Sequence, residues 1–281
     1  MRIGIGLPST VAGVDATLIA AWARRADTGP FASLGVHDRL LYDSVEPFTT
    51  LAAASAVTER VDLACLVAIA PLRPAALLAK EARSIDALSQ HRLVLGLGLG
   101  AREDDYHVSG VVYGSRGRIF DQHMADLRLL WRRADLGPQR GRSRPKLLLG
   151  GGSDLAFVRL ARYADGYVHN GGPARAFRSA ADRVRSAWSD LGRPGRPELW
   201  GLGYFALGPG AYEEGRRDLL AYYAFTGGFV SRITAGLLVS PEAVRDFARE
   251  YAESGCDHLV LFPTVARLEQ VDRLAEAIAP L

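Results

Sequence analysis

Residues 93–106 read LVLGLGLGAREDDY. An apolar run rich in Leu and Val, the signature of a buried strand, breaks into three alternating glycines, Gly96, Gly98 and Gly100. The charged cluster Arg102, Glu103, Asp104 and Asp105 follows directly. Glycine lets a backbone leave a strand end and approach a ligand with no Cβ in the way. The charges then stand at the C-terminal end of the strand, where α/β folds keep their sites. A tight turn capped by solvated charges is the competing reading of this segment taken alone.

The same alternation of buried strand and amphipathic helix runs along nearly the whole chain. Strand-like runs occupy residues 3–7, 31–36, 62–69, 93–97, 146–149, 166–169, 199–207 and 258–262. Between them, Phe120, Met124, Leu127 and Trp131 recur at helical spacing, as do Phe177, Ala181, Val184, Trp188 and Leu191, and Val244, Phe247, Ala248 and Tyr251. Pro47, Pro74 and Pro241 stand where helices begin, with Ser240 as an N-cap. Eight such units predict an α/β fold, a (β/α)₈ TIM barrel forming one domain over residues 1–281. A doubly wound open sheet is the rival; it usually has fewer strands. Two connections are long: residues 98–119, and residues 208–239 after strand seven. The second carries Tyr212, Tyr222, Tyr223, Phe225 and Phe229 around the flexible pair Gly227-Gly228. It reads equally as a lid over a site and as a subunit interface of a homodimer.

Composition narrows the partners. With 48% hydrophobic and 23% charged residues, the chain is an ordinary globular protein. A net charge of +3 carries no footprint for nucleic acid or a membrane surface, and the longest apolar run, residues 63–72, falls short of the ~20 residues a membrane helix needs. Lys80 and Lys146 are the only lysines among 34 basic residues, an arginine bias that reads as genomic composition. Cys65 and Cys256 lie in apolar runs without metal-ligand spacing, so buried reduced thiols and a cytoplasmic location are expected.

Three strand ends carry polar groups suited to chemistry. Gly150, Gly151, Gly152, Ser153 and Asp154 follow strand five and open a helix, so free N–H groups and the positive end of a helix dipole can hold an anion. An N-capped turn is the plainer reading. Asp38 and Arg39 end strand two, either as reacting groups or as a loop-fixing pair, and His169 ends strand six, either as a proton carrier or as a backbone-bonded histidine. No Ser-His-Asp order and no metal-binding motif is present. The glycines at 96–100 imitate a dinucleotide fingerprint. Residues 102–105 do not open an apolar-periodic helix, however, and three strand–helix units precede them. A site with few strong catalytic groups fits an enzyme whose cofactor carries the chemistry.

In order along the chain, His37-Asp38-Arg39-Leu40, Thr58-Glu59-Arg60-Val61, Pro71-Leu72-Arg73-Pro74, Leu78-Ala79-Lys80-Glu81 and Asp86-Ala87-Leu88-Ser89 precede the glycine strand. Arg116-Gly117-Arg118 with Phe120-Asp121 follows it. Together these resemble the bacterial luciferase-like flavin-dependent oxidoreductases and their deazaflavin-using relatives, nearly continuously over residues 1–131 and again over 150–165. The resemblance implies a barrel binding FMN or the deazaflavin coenzyme F-420 at its strand C-termini. It implies a non-prolyl cis peptide at Leu66–Val67 beneath the ring, Gly98 beside it, and the phosphate held by Gly151, Gly152 and Ser153. Asp38, Arg39, Glu103 and His169 are the candidates around the reacting centre, acting on a small apolar or aromatic substrate by monooxygenation or hydride transfer. The sugar-phosphate dehydrogenases of the deazaflavin branch carry His and Glu where this chain has Arg39 and Ala101, which sets that activity apart. A cofactor-free barrel with a degenerate site, serving binding or assembly, is the alternative from another functional class.

Overall fold

The computed structural model describes residues 1–138 and 144–281. Every predicted run forms a strand: β1 (Arg2–Gly6), β2 (Ser33–Val36), β3 (Asp62–Ile69), β4 (Leu93–Gly98), β5 (Lys146–Gly150), β6 (Gly166–Val168), β7 (Glu198–Phe205) and β8 (His258–Pro263). The strands pair in parallel and in chain order, and β1 closes on β8 through Arg2–His258, Ile3–Leu259, Gly4–Val260 and Ile5–Leu261. Closure removes both sheet edges, so the architecture is the (β/α)₈ barrel and not the open sheet.

The helices are α1 (Ala16–Thr28), α2 (Pro47–Ser55), α3 (Ala75–Leu88), α4 (Glu103–Ser109), α5 (Arg116–Leu130), α6 (Asp154–Tyr163), α7 (Ala174–Asp190), α8 (Ala211–Tyr222), α9 (Val230–Ala235), α10 (Pro241–Glu253) and α11 (Glu269–Ile278). Local chemistry sets several of their ends. The Ser240 hydroxyl accepts from the Ala243 N–H at 3.2 Å, with Pro241 in the first turn, where its missing donor costs nothing. The apolar stripes point inward as their spacing demands: Phe120, Met124 and Leu127 on α5, and Phe177, Ala181, Val184 and Trp188 on α7, are buried, whereas Leu191 caps α7 in the open.

Both long connections contain helices. The charged cluster does open a helix, the short α4, because three acids in its first turn complement the helix dipole where no apolar stripe is needed. The segment after β7 is mostly helical, built from α8, a 3₁₀ stretch (Ala224–Phe229) kinked at Gly227 (φ 58°, ψ −134°), and α9. Residues 132–145, which precede β5 and carry Arg140, Arg142 and Arg144, read from sequence as an exposed basic loop; Arg140 and Arg142 lie outside the described residues, and Arg144 pairs bidentately with Asp165 at 2.6 and 2.7 Å.

Inside the barrel, Ala64, Leu66, Val94, Leu148, Trp200, Val260 and Phe262 pack into one cluster. The N-terminal end is sealed by charge and stacking. Glu198 takes both Arg2 (2.9 Å) and Lys146 (2.7 Å), while His258 stacks on Trp200 at 3.8 Å and bonds to Ser33. The opposite, C-terminal mouth is the usual place for a site in such a barrel. Among the described residues, no helix is long and apolar enough to cross a membrane.

Candidate active site

The mouth is organised around the end of β3. The Leu66–Val67 peptide is cis, as the resemblance implies, and the pairing of β3 with β4 shifts register between Cys65 and Ala68. Val67 points toward the glycines of the neighbouring strands. A Cβ on Gly98 would lie 2.6 Å from Val67, one on Gly96 would lie 2.4 Å from the Cys65 carbonyl, and one on Gly100 would lie 2.8 Å from Ile69. The alternating glycines of β4 therefore make room for the bulged neighbour strand. Ligand approach was the sequence-based reason for them; packing is the structural one, and it places Gly98 directly against Val67.

His37, at the end of β2, governs this region. The carbonyl of Leu66 can only accept, so the 2.8 Å contact fixes the proton on His37 Nδ1. Nε2 is then a bare acceptor, and it takes the Tyr204 hydroxyl proton at 3.2 Å. Tyr223 in turn donates to Tyr204 at 2.5 Å. A directional chain thus runs from the segment after β7, through the barrel, to the backbone of β3. Burial pushes the His37 imidazole down to about 4, with a stacked Phe262 ring at 3.7 Å, so it is neutral at physiological pH.

Asp38 and Arg39 do not pair with each other. Asp38 is buried, accepts the Ile69 N–H at 2.8 Å and takes both oxygens to Arg73 at 3.1 and 3.2 Å, so it pins the end of β3. Burial raises its carboxyl against the pull of Arg73. Arg39 turns instead to Asp104 (3.3 Å) and lies over the rings of Tyr42 (4.3 Å) and Tyr222 (5.6 Å). Glu103 is exposed at the start of α4, apart from this group, and its neighbour Asp105 is the buried acid, accepting the Leu41 N–H at 2.7 Å.

A second group forms across β5 and β6. Ser153 caps α6, accepting from the Ala156 N–H at 3.3 Å, and Gly151 adopts φ +143° against Ala156, where a Cβ would clash at 2.6 Å. A Cβ on Gly152 would meet nothing within 4 Å. The first turn of α6 therefore presents unbonded N–H groups beside open space. Tyr167 donates to the Gly151 carbonyl at 3.0 Å, which leaves its oxygen to accept from His169 Nδ1 at 3.1 Å. His169 Nε2 is left buried, without a partner among the described residues, and burial lowers the imidazole from its ordinary value. These features fit a phosphate-bearing group: an anion cradle with room for it, and an unpartnered imidazole nitrogen at the same end.

The segment after β7 covers the mouth. Tyr222 packs edge-on against Tyr42 at 5.2 Å and faces His37, while Phe225 and Phe229 are exposed. One turn before Tyr222, Asp218 meets, among the described residues, only the Ala12 N–H (3.4 Å) and lies near Glu214; burial raises its carboxyl to about 7. The folded chain thus holds this proton to higher pH than the unfolded chain does, and ionising it costs stability. Asp218→Asn is expected to stabilise the protein by about 2 kcal/mol near pH 8, after discounting for solvent screening, and by nothing near pH 4, where the native acid is already protonated. Thermal melts of both proteins at the two pH values check this; equal gains at both pH values would show that the carboxyl's charge is not the cause.

Sequence reasoning missed His37, Tyr204, Arg102 and Asp218 as site members. His37 stood beside the chosen Asp38, yet nothing local announces that its ring reaches both β3 and β7. Among the described residues, no cluster of His, Cys, Asp or Glu is arranged to hold a metal ion.

Comparison with known proteins gives the family and the fold. Residues 1–254 match the luciferase-like monooxygenase family. An uncharacterized protein of Mycobacterium tuberculosis (strain H37Rv) is 28% identical over 215 residues, covering 64% of this chain and 74% of that one. The fold is shared with the monooxygenase RslO1 from Streptomyces bottropensis (TM-score 0.80, 20% identity, 100% of this chain and 99% of that chain). It is also shared with an F-420-dependent secondary alcohol dehydrogenase (TM-score 0.79, 15% identity, 99% and 98%).

Proposed function

The chain belongs to the luciferase-like monooxygenase family, and on that premise we propose that it is a flavin- or deazaflavin-dependent oxidoreductase acting on a small organic substrate at the barrel mouth. The observation that carries this reading is the open anion cradle at Gly151, Gly152 and Ser153, on the same barrel end as the His37–Tyr204–Tyr223 chain. FMN and F-420 share a tricyclic ring system and a phosphate, so the same residues serve either.

In this reading the first turn of α6 would hold the phosphate, with Gly152 leaving space and the helix dipole favouring the charge. The bound cofactor supplies hydride transfer or, for the flavin, activation of oxygen. Leu66 and Val67 would support its ring, with Gly98 behind Val67. Asp38 is a positioning residue: through the Ile69 N–H and Arg73 it fixes the strand end that would support the ring. His169 Nε2, neutral and unpartnered, is the group available to accept a proton beside the cradle. His37 holds Tyr204 and, through it, Tyr223, and so ties the covering segment to the barrel. That segment excludes water from the reacting centre.

Titrating the purified chain with oxidised and reduced FMN and F-420, followed by fluorescence quenching, tests the reading. Saturable binding of one of them is expected. Binding of neither would sink it in favour of a cofactor-free assembly protein.

The covering segment gives a separate expectation. Replacing both Phe225 and Phe229 with Ala removes exposed rings from either side of the Gly227 kink, leaving the Tyr223–Tyr204 bond in place. The ratio of product formed to reduced cofactor consumed should fall several-fold, because water reaches the centre. If that ratio holds and native mass instead shows dissociation into smaller species, the segment is a subunit interface and not a lid.

A further inference from the structure

Arg39 follows β2 and Arg102 follows β4, yet the fold brings both guanidiniums over one ring. Their Cζ atoms lie 5.6 and 4.7 Å from the centre of Tyr222. Arg39 also stacks on Tyr42 at 4.3 Å, and Arg102 on Phe225 at 4.0 Å. Both side chains are buried, to 9% and 8% exposure. Burial, with Arg39 beside it, pulls the Arg102 guanidinium below its ordinary value.

What these two cations lack is a bidentate anion between them. Two like charges withdrawn from water are costly unless good geometry and hydrogen bonds compensate them. Arg39 has one end-on contact, with Asp104, whose side chain is 42% exposed, and its Nε is buried with no hydrogen-bond partner among the described residues. Arg102 donates only to the Tyr222 carbonyl and, among the described residues, meets no carboxylate within ion-pair distance. Asp105, whose charge acts on Arg102, gives one oxygen to the Leu41 N–H, and its second oxygen reaches no donor among the described residues. Guanidiniums are forks made for planar, bidentate oxyanions. Tyr222 and Phe225 of the covering segment wall the pair, whereas the phosphate cradle follows β5.

We infer that Arg39 and Arg102 anchor a carboxylate of the substrate, so that the chain acts on an aromatic or otherwise unsaturated organic acid. This rests on the proposed cofactor-dependent reading and amends the expected apolar substrate: the aromatic part stands, and a negative charge is added. Asp104 stands in for the substrate in its absence and is displaced by it.

Calorimetric titration of the full chain with benzoate and with its neutral isostere benzamide, with and without saturating FMN or F-420, tests the inference. Benzoate should bind at least about tenfold more tightly than benzamide. Arg39→Gln and Arg102→Gln should each erase that preference and leave cofactor affinity unchanged. Arg39→Lys and Arg102→Lys keep the charge but lose the fork, and should fall between. The wild-type preference needs no variant to fold, so equal or absent binding of the two probes by the wild-type chain overturns the inference. If the Gln variants lose cofactor affinity and keep benzoate affinity, the anion is the cofactor's and the inference fails. If no cofactor binds but benzoate binding depends on both arginines, the anchor stands and the cofactor reading falls.

Discussion

Gly152→Asp is expected to lower affinity for FMN or F-420 by about thirty- to a hundredfold while leaving the melting temperature unchanged or slightly higher. The position is open: a Cβ there meets no atom within 4 Å, and its backbone is not among the glycines with positive φ, so the substitution is sterically free. A carboxylate just ahead of the Ser153 cap also complements the dipole of α6, a gain of up to ~1 kcal/mol for the fold. The same charge stands where a phosphate would sit. At about 5 Å and an effective dielectric near 20, like charges repel by about 3 kcal/mol, and partial solvation leaves about 2–3 kcal/mol as lost binding. Stability and affinity thus move in opposite directions, which a general packing defect cannot do. Cofactor titration and a thermal melt of the same preparation check the pair of effects; unchanged affinity with an intact fold removes this turn from the site.

His37 should control both stability and its acid limb. His37→Leu leaves the Leu66 carbonyl and the Tyr204 hydroxyl without their partner in a buried setting, a loss of about 2–4 kcal/mol. His37→Gln, whose carboxamide can both donate and accept, should recover much of that. The pH dependence separates the imidazole from its shape. An unfolded chain takes up the His37 proton near its ordinary 6.5, whereas the native chain resists until about 4. The histidine's contribution is therefore intact above pH 6.5 and lost as pH falls toward 4, about 3 kcal/mol in total. Urea unfolding of the wild-type chain and both variants near pH 8 and near pH 4 reads this directly. The difference in stability between wild type and His37→Gln should shift by about 3 kcal/mol between the two pH values; a constant difference would refute a buried neutral imidazole.

The barrel itself was legible along the chain. Eight apolar runs and the 3.6-residue stripes on α5, α7 and α10 lie within short windows, so composition and spacing expose them. The Ser240 and Ser153 caps are equally local, each a side chain meeting an N–H three residues on. Motifs in linear order were likewise enough to anticipate the cis peptide at Leu66–Val67.

Partnership across the mouth was not legible, because it is set by which strand ends closure brings together. Asp38 beside Arg39 suggests a pair, yet neighbouring side chains at a strand end diverge, and Asp38 finds Arg73 while Arg39 finds Asp104. The glycines of β4 look like a ligand approach until Val67 and the Cys65 carbonyl of the adjacent strand are seen to fill their space. His37, Tyr204 and Tyr223 are far apart in the chain and become one hydrogen-bonded line only when β2 and β7 face each other across a closed barrel. Sequence by itself determined the elements, because hydrophobic periodicity, caps and turns are local properties. Tertiary structure alone decided the chemistry of the mouth, because hydrogen bonds, ion pairs and burial depend on distance in space, and the chain order of residues does not encode that distance.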